Sequence, residues 1–242
     1  MIPQTCPMQH DQDIVTKALP VRQRQGGTLL IAMWAMTGAI SIPTGIAHAQ
    51  DKPLATLKTV LGELRQGGFV IYFRHTATAP VGAGNEAEDS ANCATQRRLS
   101  VAGQTEAVEI GKSIIAIGIP IRTVTVSPYC RAKDTARLAF GRFVENRDLG
   151  FVMGLDAVET RRMAGSLRRM LATPPETRTN SVIVSHSANL FEAAGIFAKP
   201  EGAAYVFRPQ SDGRFEAVAR ILPGDWNDAA RNKPPVRPAA DR

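Results

Sequence analysis

The sequence predicts an α/β fold on an open sheet. An unbroken apolar run at residues 69–73, a segment with alternating Val124 and Val126 at 121–127, and Val182-Ile183-Val184 within 181–185 have the length of buried strands. A segment of helical period precedes or follows each of them. Arginine or histidine stands at or just beyond the carboxyl end of each run, the place where open α/β sheets bind ligands.

The first fifty of the 242 residues belong to no such unit. Lys17, Arg22 and Arg24 precede an apolar stretch from Thr28 to about Ile42, which Pro43 and Gly45 break before Ala47-His48-Ala49. Basic region, short apolar core and small-x-small site together predict a secretory signal over residues 1–49, cleaved after Ala49. The apolar run falls short of the ~20 residues that span a bilayer, so no stable membrane insertion is expected after cleavage. The basic region is long, and a translation start near Val21 is the alternative.

Residues 54–64 carry Leu54, Leu57, Val60, Leu61 and Leu64 at helical spacing, stopped by Gly67-Gly68. The strand Phe69-Val70-Ile71-Tyr72-Phe73 then delivers Arg74-His75. Residues 77–98 show no period and read as a long loop beside His75, with Glu86, Glu88, Asp89, Cys93 and Arg97-Arg98 in it. Ser100 reads as the N-cap of a helix whose apolar face is Ala102, Ala107, Ile110, Ile114 and Ile115, ended by Gly118 and Pro120. The second strand, 121–127, leads through Pro128-Tyr129-Cys130-Arg131 into a short helix over 132–140. Residues 143–156 carry little pattern beyond a short strand near Phe151. A helix follows over 158–171, ended by Thr173-Pro174-Pro175. The third strand delivers His186, with a helix from about Asn189. Residues 203–207 and 215–221 read as strands across the turn at Asp212-Gly213. The globular domain is thus expected over 50–223, and 224–242, with Pro234, Pro235 and Pro238, as a mobile Pro-rich tail.

Export removes three basic and two acidic residues from the chain, leaving 26 and 20, a net charge of +6 that favours anionic partners. The basic residues are scattered and aromatics sparse, which argues against nucleic acid. Cys93 and Cys130 remain; an oxidising compartment permits a disulfide between them, and geometry decides whether it forms.

His75 and His186 become the only histidines once the leader is gone. With Arg74 and Arg131 they form the constellation on which function is expected to rest. Two guanidinium forks can clamp a tetrahedral dianion. One neutral imidazole can attack phosphorus, and a second, if protonated, can donate to an equatorial oxygen as charge builds up. Side chains then supply the cations, so no metal or other cofactor is called for. Two histidines without an ordered set of carboxylates or thiolates also fall short of a zinc site.

In these residues the chain resembles the histidine phosphatase superfamily, in its phosphoglycerate-mutase-like branch. The family's Arg-His-Gly reads Arg74-His75-Thr76 here. Its Ser-x-x-x-Arg-Ala-x-x-Thr-Ala context matches Ser127 to Ala136, and its strand ending in Gly-His matches Val182-Ile183-Val184-Ser185-His186. The resemblance spans about residues 68–195, with the motifs in family order. It implies a three-layer α/β/α sandwich with a mostly parallel central sheet. It also implies His75 as the phosphohistidine nucleophile, with Arg74, Arg131 and His186 as the phosphate pocket. Thr76 and Ser185 stand where the family has glycine. The family's usual proton donor is a glutamate between the second arginine and the second histidine. Glu159 lies in that interval, and Glu86, Glu88 and Asp89 are rivals. Together with the leader, the resemblance points to an exported, periplasmic or secreted phosphomonoesterase acting on a small phosphorylated substrate such as an envelope sugar phosphate. The alternative is a phosphate-recognition module with little turnover.

Overall fold

A computed structural model describes residues 53–80 and 90–232. The expected leader, the loop acids Glu86, Glu88 and Asp89, and residues 233–242 of the expected tail lie outside the described residues.

In chain order the elements are α1 (Leu57–Gln66), β1 (Val70–Arg74), α2 (Val101–Ala116), β2 (Ile121–Val126), α3 (Cys130–Phe140), β3 (Val144–Glu145), α4 (Ala157–Ala172), β4 (Asn180–Ser185), α5 (Ser187–Ala194), β5 (Ala204–Pro209), β6 (Phe215–Ile221) and α6 (Pro223–Arg231). The strands form one sheet in the order β3-β2-β4-β1-β5-β6. The pairings from β3 to β1 are parallel, and β5 and β6 add an antiparallel edge. Alternation along β1 sends Ile71 and Phe73 into a layer with α1, α2, α3 and α6, and Val70 and Tyr72 into a layer with α4 and α5. The fold is the three-layer, mostly parallel α/β/α sandwich the sequence led us to expect.

The chain runs from β1 through α2 to β2 on one side of β4, and from β4 through α5 to β5 on the other side of β1. The strand order therefore reverses between β1 and β4, and their carboxyl ends border the crevice where such sheets bind ligands.

Local signals place the helix ends. Ser100 caps α2 by accepting from the Gly103 N–H, and Asp156 caps α4 by accepting from the Val158 and Glu159 N–H groups. Gly103 also lets α2 lie against the chain leaving His75: a Cβ there would sit 1.9 Å from the Ala77 carbonyl oxygen.

Several elements differ from the expectation. Ala102 and Ile115 of α2 are exposed, and Gly103, Gly111 and Ser113 share the buried face with Ala107, Ile110 and Ile114. Close helix packing takes small residues there; a Cβ on Gly111 would lie 2.1 Å from the Ala139 oxygen of α3. The short strand falls at Val144–Glu145 rather than near Phe151, because β2 pairs with it through Thr125 and Val126. α5 starts at Ser187, directly after His186. The segment expected as tail opens instead with α6, whose Trp226 is wholly buried against Phe73, ring centroids 5.8 Å apart. One large aromatic docked on the core stabilises a helix that its polar neighbours conceal. No helix among the described residues is long and apolar enough to cross a membrane.

Asn180 joins three elements from a fully buried position. Its amide oxygen accepts from the Phe69 N–H (3.1 Å), and its amide nitrogen donates to the Leu64 (2.8 Å) and Pro120 (3.1 Å) carbonyls. Asn180→Ala strands the Phe69 N–H without a partner and is expected to cost about 2–3 kcal/mol. Urea unfolding checks it; a loss under half a kilocalorie per mole would show that water replaces the amide.

Candidate active site

Parallel register puts Arg74 opposite Ser185, so His75 and His186 are the next residues along adjacent strands. Their rings lie 5.5 Å apart between centroids, and both residues are buried. The His75 ring hydrogen-bonds through Nδ1 to the Thr76 carbonyl (3.0 Å). In the neutral ring Nδ1–H is then the donor and Nε2 carries the lone pair. Nε2 of His186 lies 2.8 Å from Ser127 Oγ, and its Nδ1 is buried with no hydrogen-bond partner among the described residues. With the Ser127 hydroxyl donating to Nε2, Nδ1 bears the proton and can donate to an oxyanion. The His186 carbonyl accepts from the Tyr72 hydroxyl (2.7 Å), which anchors the end of β4 from below.

Burial pushes the His75 imidazole down to about 3, with the Arg131 and Arg74 charges acting in the same direction. Burial also holds His186 well below the ordinary histidine range, with the Arg131, Arg74 and Arg97 charges acting in the same direction. Both rings are therefore neutral near pH 7. That state suits a nucleophile, and a cationic ring is not needed where guanidinium groups already supply the charge.

The two arginines are held in different ways. Arg131, at the start of α3, is 1% exposed; its guanidinium carbon lies 4.9 Å from the Tyr129 ring centre and 5.3 Å from that of Phe151. Those two rings also stand edge-on to His186, each 5.2 Å away. Arg74 is half-buried. Its two Nη groups donate to the Ala198 carbonyl (3.1 Å) and the Glu201 carboxylate (3.0 Å), and its Nε is buried without a partner among the described residues.

The residues standing in place of family glycines have other duties. Thr76 is packed against α3: its N–H and hydroxyl both meet Thr135 Oγ1 at 3.1 Å, and Thr135 donates to the Arg131 carbonyl (2.8 Å). Ser185 donates to the Leu149 carbonyl (2.8 Å). Neither has positive φ, so neither position requires glycine.

The returning limb of the loop after His75 is fastened twice. Cys93 and Cys130 form a disulfide, their Cα atoms 5.7 Å apart, and the Gln96 side chain accepts from the Cys130 N–H (2.7 Å). This brings Arg97 to the site, 3.7 Å from Glu201.

Of the acids weighed as proton donors, Glu86, Glu88 and Asp89 fall outside the described residues. Glu159 is partly exposed on the first turn of α4, with both oxygens accepting from Arg162 (2.8 and 2.7 Å). Hydrogen bonding from Arg162 holds its carboxyl below the usual range, the opposite of what a general acid needs. The sequence offered no reason to select Glu201. It stands just ahead of β5, and only the antiparallel pairing of β5 with β1 brings it beside Arg74.

No family model and no curated protein matches the chain. Among solved structures it is similar to the protein histidine phosphatase SixA complexed with tungstate, at 16% identity over 65% of this chain and 98% of that one, TM-score 0.44. Phosphoserine phosphatase from Entamoeba histolytica in complex with 3-phosphoglyceric acid is 14% identical over 63% and 95%, TM-score 0.46. The alpha-ribazole phosphatase from Shigella flexneri is 14% identical over 64% and 96%, TM-score 0.46. Likeness at these levels carries no functional weight.

The depressed imidazoles set an acid dependence. Unfolded histidine titrates near ~6.5, whereas folded His75 titrates at about 3. Between those values the unfolded chain binds the extra proton, so stability falls as pH falls. The urea midpoint is expected to drop steadily from pH 7 to 4, and His75→Gln to flatten that drop. A midpoint unchanged over this range in the wild type would mean that the native rings protonate freely.

Proposed function

We propose that this chain is an exported, metal-independent phosphomonoesterase of the histidine phosphatase type. The observation that carries the proposal is the pair His75 and His186, rings 5.5 Å apart, in the company of Arg74 and Arg131. The phosphate dianion would lie between the guanidinium groups and accept from His186 Nδ1. His75 Nε2 attacks phosphorus, forming the N–P bond as the ester P–O bond breaks. Guanidinium and imidazole donors stabilise the charge that gathers on the equatorial oxygens. Water then attacks the phosphohistidine, the N–P bond breaks, and inorganic phosphate and neutral His75 are regenerated.

An aryl oxide departs as the anion and takes its proton from water afterwards, whereas an alkoxide needs an acid at the moment of departure, worth ~10²–10⁴ in rate. The substrate class we favour is a small phosphorylated compound of the envelope, such as a sugar phosphate, because export separates the enzyme from cytosolic metabolites. Support for export comes from the leader sequence and from the Cys93–Cys130 disulfide, a bond that oxidising compartments sustain. One observation favours the second reading, a phosphate-recognition module with little turnover. The carboxylate beside the pocket, Glu201, already accepts from Arg74 and Thr78, so it has no proton to give.

Rapid acid quench with radiolabelled substrate separates the two readings. A phosphatase retains label on His75, loses it in His75→Ala, and that variant's turnover of 4-nitrophenyl phosphate falls by at least about three orders of magnitude. A recognition module binds vanadate but takes up no label. His75→Ala turning over as fast as wild type would remove the phosphatase proposal altogether. Export has its own check: the chain expressed from its own leader should reach the periplasm or medium with Gln50 as the new N-terminus. Retention of the full-length chain inside the cell would refute that part.

A further inference from the structure

We infer that Glu201 is a positioning residue, which holds the Arg74 guanidinium by its outer edge and ties it to the backbone that carries His75. The inference rests on the phosphatase reading above and concerns how that pocket is held in shape.

Glu201 Oε1 accepts from Arg74 Nη2 (3.0 Å), while Nη1 is taken by the Ala198 carbonyl (3.1 Å). With one N–H of each Nη group engaged, the guanidinium is held in one orientation. Its buried Nε–H has no partner among the described residues and can serve an oxyanion. Glu201 Oε2 accepts from the Thr78 N–H (2.7 Å), and the Thr78 hydroxyl reaches both carboxylate oxygens (3.0 and 3.1 Å). The same segment grips the nucleophile's own backbone, since the Gly202 N–H donates to the His75 carbonyl (2.9 Å). Gly202 has φ +78°, a backbone conformation that favours glycine at this joint. One carboxylate thus fixes an arginine, the exit of the His75 strand and, at 3.7 Å, the Arg97 side chain.

The electrostatics explain why an acid is needed at this point. Arg74 and Arg97 repel each other beside two buried imidazoles, and burial already lowers Arg74. Glu201 offsets that repulsion from behind. Burial pushes the Glu201 carboxyl up, but the hydrogen bonds from Thr78 and the Arg74 charge outweigh it, and the group stays below its ordinary value. It is therefore a fixed anion and an acceptor; a proton donor would need the reverse shift.

The test compares wild type, Glu201→Gln, Glu201→Asp and Arg74→Ala on 4-nitrophenyl and phenyl phosphate, with vanadate inhibition measured in parallel. Glu201→Gln keeps the volume and removes the charge. Its kcat/KM is expected to fall about ten- to hundredfold by the same factor on both esters, with weaker vanadate binding to match, since small misplacements of a positioned group cost up to ~10². Glu201→Asp should recover part of the loss. Thr78→Val guards against a misfolded Glu201 variant: it should weaken vanadate severalfold in the wild type and have no further effect with Glu201→Gln. Glu201→Gln within twofold of wild type, while Arg74→Ala has lost vanadate binding, overturns the inference and spares the phosphatase reading. A loss confined to phenyl phosphate overturns it too, because that pattern belongs to a proton donor. Failure of the wild type itself to turn over either ester or bind vanadate removes the phosphatase reading and this inference with it.

Discussion

The parallel pairing of β1 with β4 is the constraint on which the site depends. Val70 to Arg74 run beside Ser181 to Ser185 without a shift, so both strands end at the same level. A slip of one residue would turn every side chain to the other face, and the two imidazoles would no longer meet. The register is well specified because both faces of these strands are buried. Ile71, Phe73, Val182 and Val184 fill one layer, and Val70, Tyr72 and Ile183 the other. Asn180 pins the far end of β4 to the chain entering β1 through the Phe69 N–H. Core packing and catalytic geometry are, in that sense, one requirement.

Bringing two guanidinium groups and two imidazoles together in a buried crevice carries a desolvation cost. The fold meets it in three ways. Both imidazoles stay neutral, each ring engaged by a local partner, the Thr76 carbonyl for His75 and the Ser127 hydroxyl for His186. Arg131 lies against aromatic faces, which offer attraction without a competing anion. Arg74, more exposed, leans on Glu201 and the Ala198 carbonyl. What remains uncompensated, the Arg74 Nε and His186 Nδ1 protons, is what a phosphate dianion would satisfy. Strand ends, a helix start and the segment ahead of the antiparallel edge each bring one group to the cluster.

Local patterns were legible where one element suffices to explain them. Apolar patterns marked β1, β2 and β4, and Ser100 and Gly67 marked helix ends. Thr135 and Ser127 were visible within the second motif, though their bonds to Thr76 and His186 were not. Where packing between elements decides, the pattern misled. Ile115 looked like core and is exposed, because Gly103 and Gly111 turn a different face of α2 inward. α6 looked like tail, because Trp226 is its one fully buried residue and only Ala229 and Ala230 pack beside it. Glu159 had the expected place in the chain, but its carboxylate is taken by Arg162.

By itself the sequence determined the α/β class, the identity of the paired histidines and the arginine that accompanies each end of the crevice. Those follow from hydrophobic runs and from the few residues able to do the chemistry. Only the tertiary structure decided which acid serves the pocket and how the loop limb returns to it. Glu201 lies 127 residues from the Arg74 it holds. Its place depends on β5 running antiparallel to β1, and no short-range pattern encodes which strands become neighbours. Hydrophobic periodicity is a property of one segment; the choice of partner is a free-energy difference between whole folds.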